Sequence, residues 1–153
     1  MPSRRHSLFA VAAAGAMLHA ACASRPPVRS RDEGLARLRA AEEGFAATMA
    51  RRDLRAFGEY VSDDAVFVNG GSPLRGKDAI VTFWAKFFAS QTAPFSWRPE
   101  IVELASSGAL GYTEGPVMSP SGEVFARFFS TWQLGADDRW LVVFDNGTSV
   151  CRS

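Results

Sequence analysis

The sequence predicts an α+β fold in which three helices precede a run of antiparallel strands. Two observations support this prediction. Apolar residues recur at helical spacing in the first half of the chain. In the second half, short segments rich in β-branched and aromatic residues are separated by turn motifs. At 153 residues, the chain is long enough for one domain with a core and an internal pocket.

The first helix is predicted over 32–51, where apolar side chains recur every three to four residues from Leu35 to Met49. Two acidic residues open this segment, and acidic side chains are favourable at the positive end of the helix dipole. A short second helix is predicted over 54–60, with Asp53 as its N-cap.

A strand over 65–68 and a helix over 78–89 are predicted next, and the helix carries an apolar face that includes Trp84. Four further strands are predicted over 95–104, 110–118, 124–134 and 139–144. Turn motifs rich in Gly, Ser, Pro and Asp separate these strands, which indicates an antiparallel meander.

The segment GSPLRGKD at 71–78 is similar to a phosphate-binding loop, but it lacks the Ser or Thr that should follow the Lys. Asp78 would place a negative charge beside a phosphate, and Pro73 removes one backbone N–H donor. Phosphate-binding loops also belong to parallel βαβ units. The sequence therefore favours a turn with Asp78 as the N-cap of the third helix, and no nucleotide is expected to bind. A net charge of +1 argues against nucleic acid as a partner.

Residues 1–21 are typical of an export signal, in which Arg4 and Arg5 precede an uncharged, Ala-rich segment. This apolar segment is too short to span a bilayer with ease. The stretch SRRHSL resembles a twin-arginine signal, and an ordinary basic segment is an equal alternative.

The apolar segment ends in LHAAC, which resembles the lipobox of bacterial lipoproteins with Cys22 as the acylated residue. Cleavage after Ala23 is the alternative, and it would release a soluble protein. Residues 22–31 are rich in Pro, Ser and Arg and are predicted to be a tether to a domain over 32–153. The expected location is the periplasmic side of a membrane, reached through the lipid anchor alone.

Both histidines, His6 and His19, fall within the predicted signal. Nucleophilic systems with an imidazole base and zinc sites built from His and Cys are therefore not expected in the mature chain. No metal or cofactor is predicted, and any acid–base chemistry would fall to Asp, Glu, Tyr or Lys.

The chain resembles the nuclear transport factor 2-like superfamily over about 33–151, in its order of a helix, a short helix, DDAVFVNGG, RGKDAI and four strands ending in RWLVVFDNG. This superfamily includes ketosteroid isomerase and the SnoaL-like cyclases. The segments AAEEGFAATMARRDLRAF, FSWRPE, GALGYTEGP and RWLVVFDNG are most similar to a bacterial branch of unassigned function. The resemblance implies a curved antiparallel sheet wrapped around one long and two shorter helices, with a cone-shaped pocket. It also implies a homodimer formed through the sheet.

The resemblance places the catalytic positions of ketosteroid isomerase on three residues of this chain. That enzyme uses an Asp base and an oxyanion hole of Tyr and protonated Asp. The Tyr position is occupied by Phe45, the base position by Asn69 and the buried acid position by Ser130. Phe45 has no O–H group and Asn69 accepts no proton at neutral pH, so isomerase chemistry by that mechanism is not expected.

Asp145 is the candidate acid or base, because the resemblance places it on the pocket side of the last strand, where desolvation would favour its protonated form. The motif DNG, however, favours a turn residue that is hydrogen-bonded to its own backbone. Alternation along the penultimate strand puts Phe128, Ser130 and Trp132 on one face. The tryptophans are more typical of core and dimer-face residues than of a ligand site. The candidate pocket residues are Phe45, Asn69, Trp84, Trp97, Thr113, Phe128, Ser130 and Trp132.

Two functions are compatible with these features. The favoured one is an exported, lipid-anchored domain that binds a small apolar or carbonyl-containing ligand without catalysing isomerisation. The alternative is a lyase, isomerase or cyclase that acts on a small carbonyl compound, with Asp145 as acid or base and Asn69 as an orienting amide.

Overall fold

A computed structural model of the chain describes residues 30–68 and 71–150. The predicted signal, most of the predicted tether, Cys22 and Asn69 therefore lie outside the described residues. No helix within the described ranges is both long enough and apolar enough to cross a membrane.

The three predicted helices are confirmed to within one residue at each end. In the described part of the chain they are α1 (Arg31–Arg51), α2 (Leu54–Tyr60) and α3 (Lys77–Phe88). Ser30 caps α1 by accepting the backbone N–H of Glu33 at 3.1 Å. Asp53 caps α2 as predicted, accepting the backbone N–H of Ala56 at 2.9 Å.

The predicted N-cap of α3 is wrong. The helix begins at Lys77 after Gly76, and Asp78 lies inside the first turn, where its charge still faces the positive end of the helix dipole. Gly76 has a φ of 84°, a backbone conformation that favours glycine, and it redirects the chain into the helix.

Before this turn, Leu74–Arg75 forms a short strand that pairs antiparallel with the preceding strand, so the segment resembling a phosphate-binding loop contains one strand of an antiparallel pair.

The sheet is mixed and mostly antiparallel. Its seven strands in the described residues are β1 (Val61–Val68), β2 (Leu74–Arg75), β3 (Ser96–Trp97), β4 (Ile101–Leu104), β5 (Leu110–Met118), β6 (Val124–Leu134) and β7 (Trp140–Ser149). The order is β2-β1-β7-β6-β5-β3, with β4 also on β5. Only β1 and β7 pair in parallel, because the chain leaves β1 through α3 and returns through the antiparallel meander.

The single strand predicted over 95–104 is two short strands. Pro99 lies between β3 and β4 along the chain and has no N–H group to donate to a neighbouring strand. It therefore interrupts the pairing of this segment with β5. The interrupting segment passes close over β5 at Gly115, where a Cβ atom would collide with the carbonyl oxygen of Arg98. A glycine is therefore required at this position by the close approach of two backbones.

The core lies between α1 and one face of the sheet, and aromatic side chains dominate it. Phe45 of α1 stacks on Phe57 of α2 with ring centroids 4.8 Å apart, and Phe57 stacks in turn on Trp84 of α3 at 4.8 Å. Trp132 of β6 meets the Phe45 ring edge-on at 5.8 Å. These contacts hold the helices against the sheet. The space between the helices and the sheet stays open at one end.

Candidate functional site

A cavity of about 330 Å³ lies at this open end, between α1, α3 and strands β5, β6 and β7. Its described lining is almost entirely apolar and contains no Lys, Arg or His. The aromatic side chains in the lining are Phe45, Phe83, Trp84, Phe87, Phe95, Trp97, Phe125 and Phe128. A single ionisable group, the carboxylate of Asp145, completes the described wall.

The local structure explains why these side chains meet. Phe83, Trp84 and Phe87 are near neighbours on α3 and all line the cavity, with Trp84 buried and Phe83 38 % exposed. Phe128 belongs to the inward-facing residues of β6, where burial alternates along the strand as predicted. Trp97 comes from the short strand β3, which pairs with β5 at the edge of the sheet beside α1.

Asp145 is a strand residue, and the turn interpretation of the DNG motif is wrong. It lies within β7, between Ser130 of β6 on one side and Phe67 of β1 on the other. Pairing with β1 extends to Asn146 and pairing with β6 extends to Ser149, and this pairing overrides the local turn preference. The side chain is 9 % exposed and accepts a hydrogen bond from the Ser130 hydroxyl at 2.8 Å.

A second buried carboxylate, Glu42 of α1, lies behind the cavity wall and was not among the candidate site residues. Its Oε1 accepts the indole N–H of Trp97 at 2.7 Å. Its Oε2 accepts the hydroxyl of Thr113 at 2.6 Å and the indole N–H of Trp132 at 3.1 Å. The indole N–H of Trp132 also donates to the Thr113 hydroxyl oxygen at 2.9 Å. We call Glu42 and these three donors the Glu42 network.

Burial without a cation raises the pKa of Glu42 to about 7. The hydrogen bonds from Thr113, Trp97 and Trp132 oppose this shift, whereas the negative charge of Asp145 adds to it. Glu42 therefore exchanges its proton near neutral pH, although its side chain is fully buried.

The sequence contains a pattern that indicates that Glu42 lies on the buried face of α1. Leu38, Glu42, Phe45 and Met49 follow one another at spacings of four, three and four residues, which places them on one face of α1. A Glu on the buried face of an amphipathic helix indicates partners elsewhere in the fold. Those partners come from β3, β5 and β6, which the helix pattern does not reveal.

The predicted pocket residues fall into three groups in the structure. Phe45, Trp84, Trp97 and Phe128 line the cavity together with Asp145. Ser130 lies one hydrogen bond behind Asp145, and Thr113 and Trp132 belong to the Glu42 network. Asn69 lies outside the described residues.

The structure shows which face of β5 is inward. Thr113 is buried, whereas its neighbours Tyr112 and Glu114 lie on the other face. The Tyr112 hydroxyl donates to Glu114 at 2.6 Å, and Arg127 forms ion pairs with Glu114 at 3.0 Å and Glu100 at 3.1 Å. These outward polar contacts are separate from the cavity.

The described residues contain no group of three or more His, Cys, Asp or Glu side chains that could hold a metal ion. The indole N–H of Trp84 is buried and has no hydrogen-bond partner among the described residues. The chemistry that these residues offer is therefore that of one carboxylate in an aromatic cavity, with a second carboxyl group behind the wall.

A family model of the SnoaL-like domain matches residues 41–143, which is more than half of the chain. The chain belongs to this family. No curated protein matches the sequence.

The family match confirms the predicted superfamily, and solved structures confirm the predicted fold. A ketosteroid isomerase-like protein from Erwinia carotovora atroseptica is 17 % identical, with a TM-score of 0.64 over 79 % of this chain and 99 % of that one. An NTF2-like protein of unknown function from Pseudomonas putida is 16 % identical, with a TM-score of 0.65 over 79 % of this chain and 89 % of that one. A protein of unknown function from Mycobacterium tuberculosis is 12 % identical, with a TM-score of 0.66 over 82 % of this chain and 77 % of that one. At these identities the similarity shows the fold alone.

Proposed function

We propose that this protein binds one small, largely apolar molecule in the aromatic cavity, without isomerase catalysis. The observation that carries the proposal is a cavity of about 330 Å³ walled by eight aromatic side chains and one carboxylate. Ligand sites in proteins are about 300–1,000 Å³ and are mostly apolar with few polar groups. The volume lies at the lower end of this range and therefore fits a small molecule.

The proposal includes export and lipid anchoring through Cys22. Support comes from the basic start of the chain, its Ala-rich apolar segment and the LHAAC motif. Replacement of Cys22 by Ser should release the protein from the membrane fraction of the producing cell. Retention of this variant in the membrane would contradict lipid anchoring and leave the cavity proposal unaffected.

The cavity proposal is tested by filling the cavity from within. Val117 of β5 lines the cavity, so the larger side chain of Val117→Phe should fill it. Native mass spectrometry of gently purified protein should detect retained ligand on the wild type and none on this variant. The same variant should lose binding of the probe 2-phenylethanol in calorimetric titration. Val124→Phe is the matched control, because Val124 is 44 % exposed and does not line the cavity. If Val117→Phe binds the probe as the wild type does, the cavity is not the binding site.

A lyase, isomerase or cyclase activity is the second candidate, and the pairing of Asp145 with Ser130 inside an apolar cavity favours it. In this hypothesis the Asp145 carboxylate removes a proton from the carbon next to a carbonyl group. The enolate then takes a proton back from solvent, and the Asp145 carboxyl group releases the proton it removed to solvent.

This chemistry has a signature that needs no knowledge of the true substrate. In D₂O the enzyme should exchange the α-hydrogens of cyclohexanone for deuterium, as followed by NMR. Asp145→Asn should abolish the exchange, whereas Asp64→Asn should not, because Asp64 forms an exposed pair with Ser62. Equal exchange by both variants would contradict the hypothesis.

A further inference from the structure

We propose that Glu42 is a positioning residue for the cavity: it holds the Trp97 ring in the wall and takes up a proton when the ligand binds, so that binding depends on pH. This inference rests on the proposed binding function and adds a means of regulation to it. It concerns a buried group that does not itself line the cavity.

The first argument is the position of Glu42 directly behind the wall. The ring of Trp97 lines the cavity, while its indole N–H donates to Glu42 Oε1 at 2.7 Å. Phe45, three residues after Glu42 on the same buried face of α1, lines the cavity as well. The carboxyl group of Glu42 and a bound ligand would therefore contact the same indole.

The second argument is that the Glu42 network accommodates both protonation states. Indole N–H groups only donate, whereas a hydroxyl can donate or accept. Thr113 can therefore donate to Oε2 of the ionised carboxylate, and it can accept from a proton on Oε2 of the neutral carboxyl group. In both states Oε1 remains the acceptor for Trp97. A proton can thus enter or leave while the Trp97 ring keeps its hydrogen bond.

The third argument is desolvation. Glu42 is fully buried, and burial is the largest cause of its raised pKa of about 7. A ligand in the open cavity replaces solvent on the other side of the wall with an apolar body, which disfavours the charged form further. The ligand should therefore raise the pKa of Glu42. Because coupling between two binding events is reciprocal, the neutral form should bind the ligand more tightly.

The other titratable groups around Glu42 come from two elements. Asp145 of β7 interacts with Glu42 through its charge, which raises the pKa of Glu42. Tyr60 of α2 packs against Phe45 with ring centroids 5.7 Å apart. The side chains that β3, β5 and β6 direct at Glu42 are those of the network, and indole and hydroxyl groups do not titrate near neutral pH. The described charged residues of α2, β4, β5 and β6 form ion pairs at the surface or on the outer face of the sheet.

The test is calorimetric titration of the wild-type protein with 2-phenylethanol, a probe that is uncharged throughout the pH range used. We expect the Kd to rise about threefold to tenfold from pH 5.5 to pH 8.5, which is the change that a shift of about half to one pKa unit produces. At pH 7, titrations in phosphate and in Tris, whose enthalpies of ionisation differ, should show uptake of about 0.3–0.4 proton per ligand. Because these measurements use the wild type, they do not depend on whether any variant folds.

Glu42→Gln retains an acceptor for Trp97 but has no titratable proton, so its Kd should be the same at both pH values within about twofold. Glu43→Gln is the matched control and should keep the pH dependence, since Glu43 is the exposed neighbour on α1. Thr113→Val removes a hydrogen bond that lowers the pKa of Glu42. The midpoint of the pH profile should therefore move to higher pH in this variant.

An equal Kd at both pH values in the wild type, without proton uptake, would overturn the inference and leave the proposed binding function intact. A pH dependence that persists unchanged in Glu42→Gln would overturn it as well, because another group would then carry the proton. If the probe binds at neither pH and the purified protein retains no small molecule, the proposed binding function fails and this inference fails with it.

Discussion

Trp97 connects the buried carboxylate of Glu42 to the cavity, because its indole N–H lies 2.7 Å from Glu42 Oε1 while its ring forms part of the cavity wall. The position of a ring that would contact the ligand is thus set by a titratable group on α1. Thr113 and Trp132 hold the other oxygen of that group, so the ring has little freedom to turn.

The first prediction concerns the pH dependence of stability. The pKa of Glu42 is raised from 4.5 to about 7 in the folded protein, so folding favours its neutral form. The stability that this proton provides is complete below about pH 4.5, falls as the pH rises towards 7, and changes no further above that. This shift in the pKa of Glu42 corresponds to a loss in the free energy of unfolding on the order of 3 kcal/mol.

The measurement is urea unfolding of the wild type and Glu42→Gln at pH 5 and pH 8. From pH 5 to pH 8, we expect the free energy of unfolding of the wild type to fall by about 2–3 kcal/mol relative to that of Glu42→Gln. Exposed carboxylates such as Asp63 and Asp137 have lowered pKa values and act only at more acidic pH. Glu43→Gln is the matched control, since Glu43 is the exposed neighbour on the same helix. A pH-independent difference between wild type and Glu42→Gln would contradict the prediction.

The second prediction concerns the hydroxyl that supports Asp145. Ser130→Ala removes a buried hydrogen bond to a carboxylate and should destabilise the protein by about 1.5–3 kcal/mol. Ser62→Ala removes a bond of the same kind to Asp64 on the surface and should cost less than about 0.5 kcal/mol. Chemical denaturation measures both, and equal effects would show that the Ser130 bond is no more important than an exposed one.

The third prediction concerns the close approach of two backbones at β5. Gly115→Ala should destabilise the fold by about 1–3 kcal/mol, because its Cβ would collide with the Arg98 carbonyl. Gly71→Ala serves as control, since nothing lies near the Cβ position there. Thermal unfolding should show a lower Tm for the first variant alone, and an unchanged Tm would mean that the segment shifts without cost.

The fourth prediction is the homodimer through the sheet, which remains a proposal. Phe144 pairs with Thr131 on the sheet face away from the core and is 56 % exposed. Such exposure of a large aromatic side chain suits a contact with a second copy. Phe144→Lys should convert a dimer to a monomer in light-scattering measurements, whereas Val124→Lys should not. A wild type that is monomeric at high concentration would end this proposal.

Much of the fold could be predicted because its elements are locally encoded. Helical periodicity placed α1 and α2 correctly, and alternation with turn motifs placed β5 and β6. The parallel pairing of β1 with β7 could not be found in this way, because it joins segments far apart in the chain. The same pairing explains why the DNG motif is part of a strand.

The site was less predictable than the fold. The resemblance to a known superfamily placed Asp145 on the pocket side, although local sequence argued for a turn. Glu42 was missed because its donors Trp97 and Trp132 come from separate strands and meet it only after folding. The roles of Asn69 and Cys22 remain predictions, since both lie outside the described residues.

The attachment of Arg31 determines where the predicted tether would meet the domain. Its guanidinium donates to the Leu104 carbonyl at 2.8 Å, and Leu104 pairs with Gly111 near the start of β5. The cavity-lining Val117 lies six residues further along β5, about 20 Å away at the rise of an extended strand. In a protein held by lipid at Cys22, the predicted tether would thus meet the domain about 20 Å along the sheet from this part of the cavity wall.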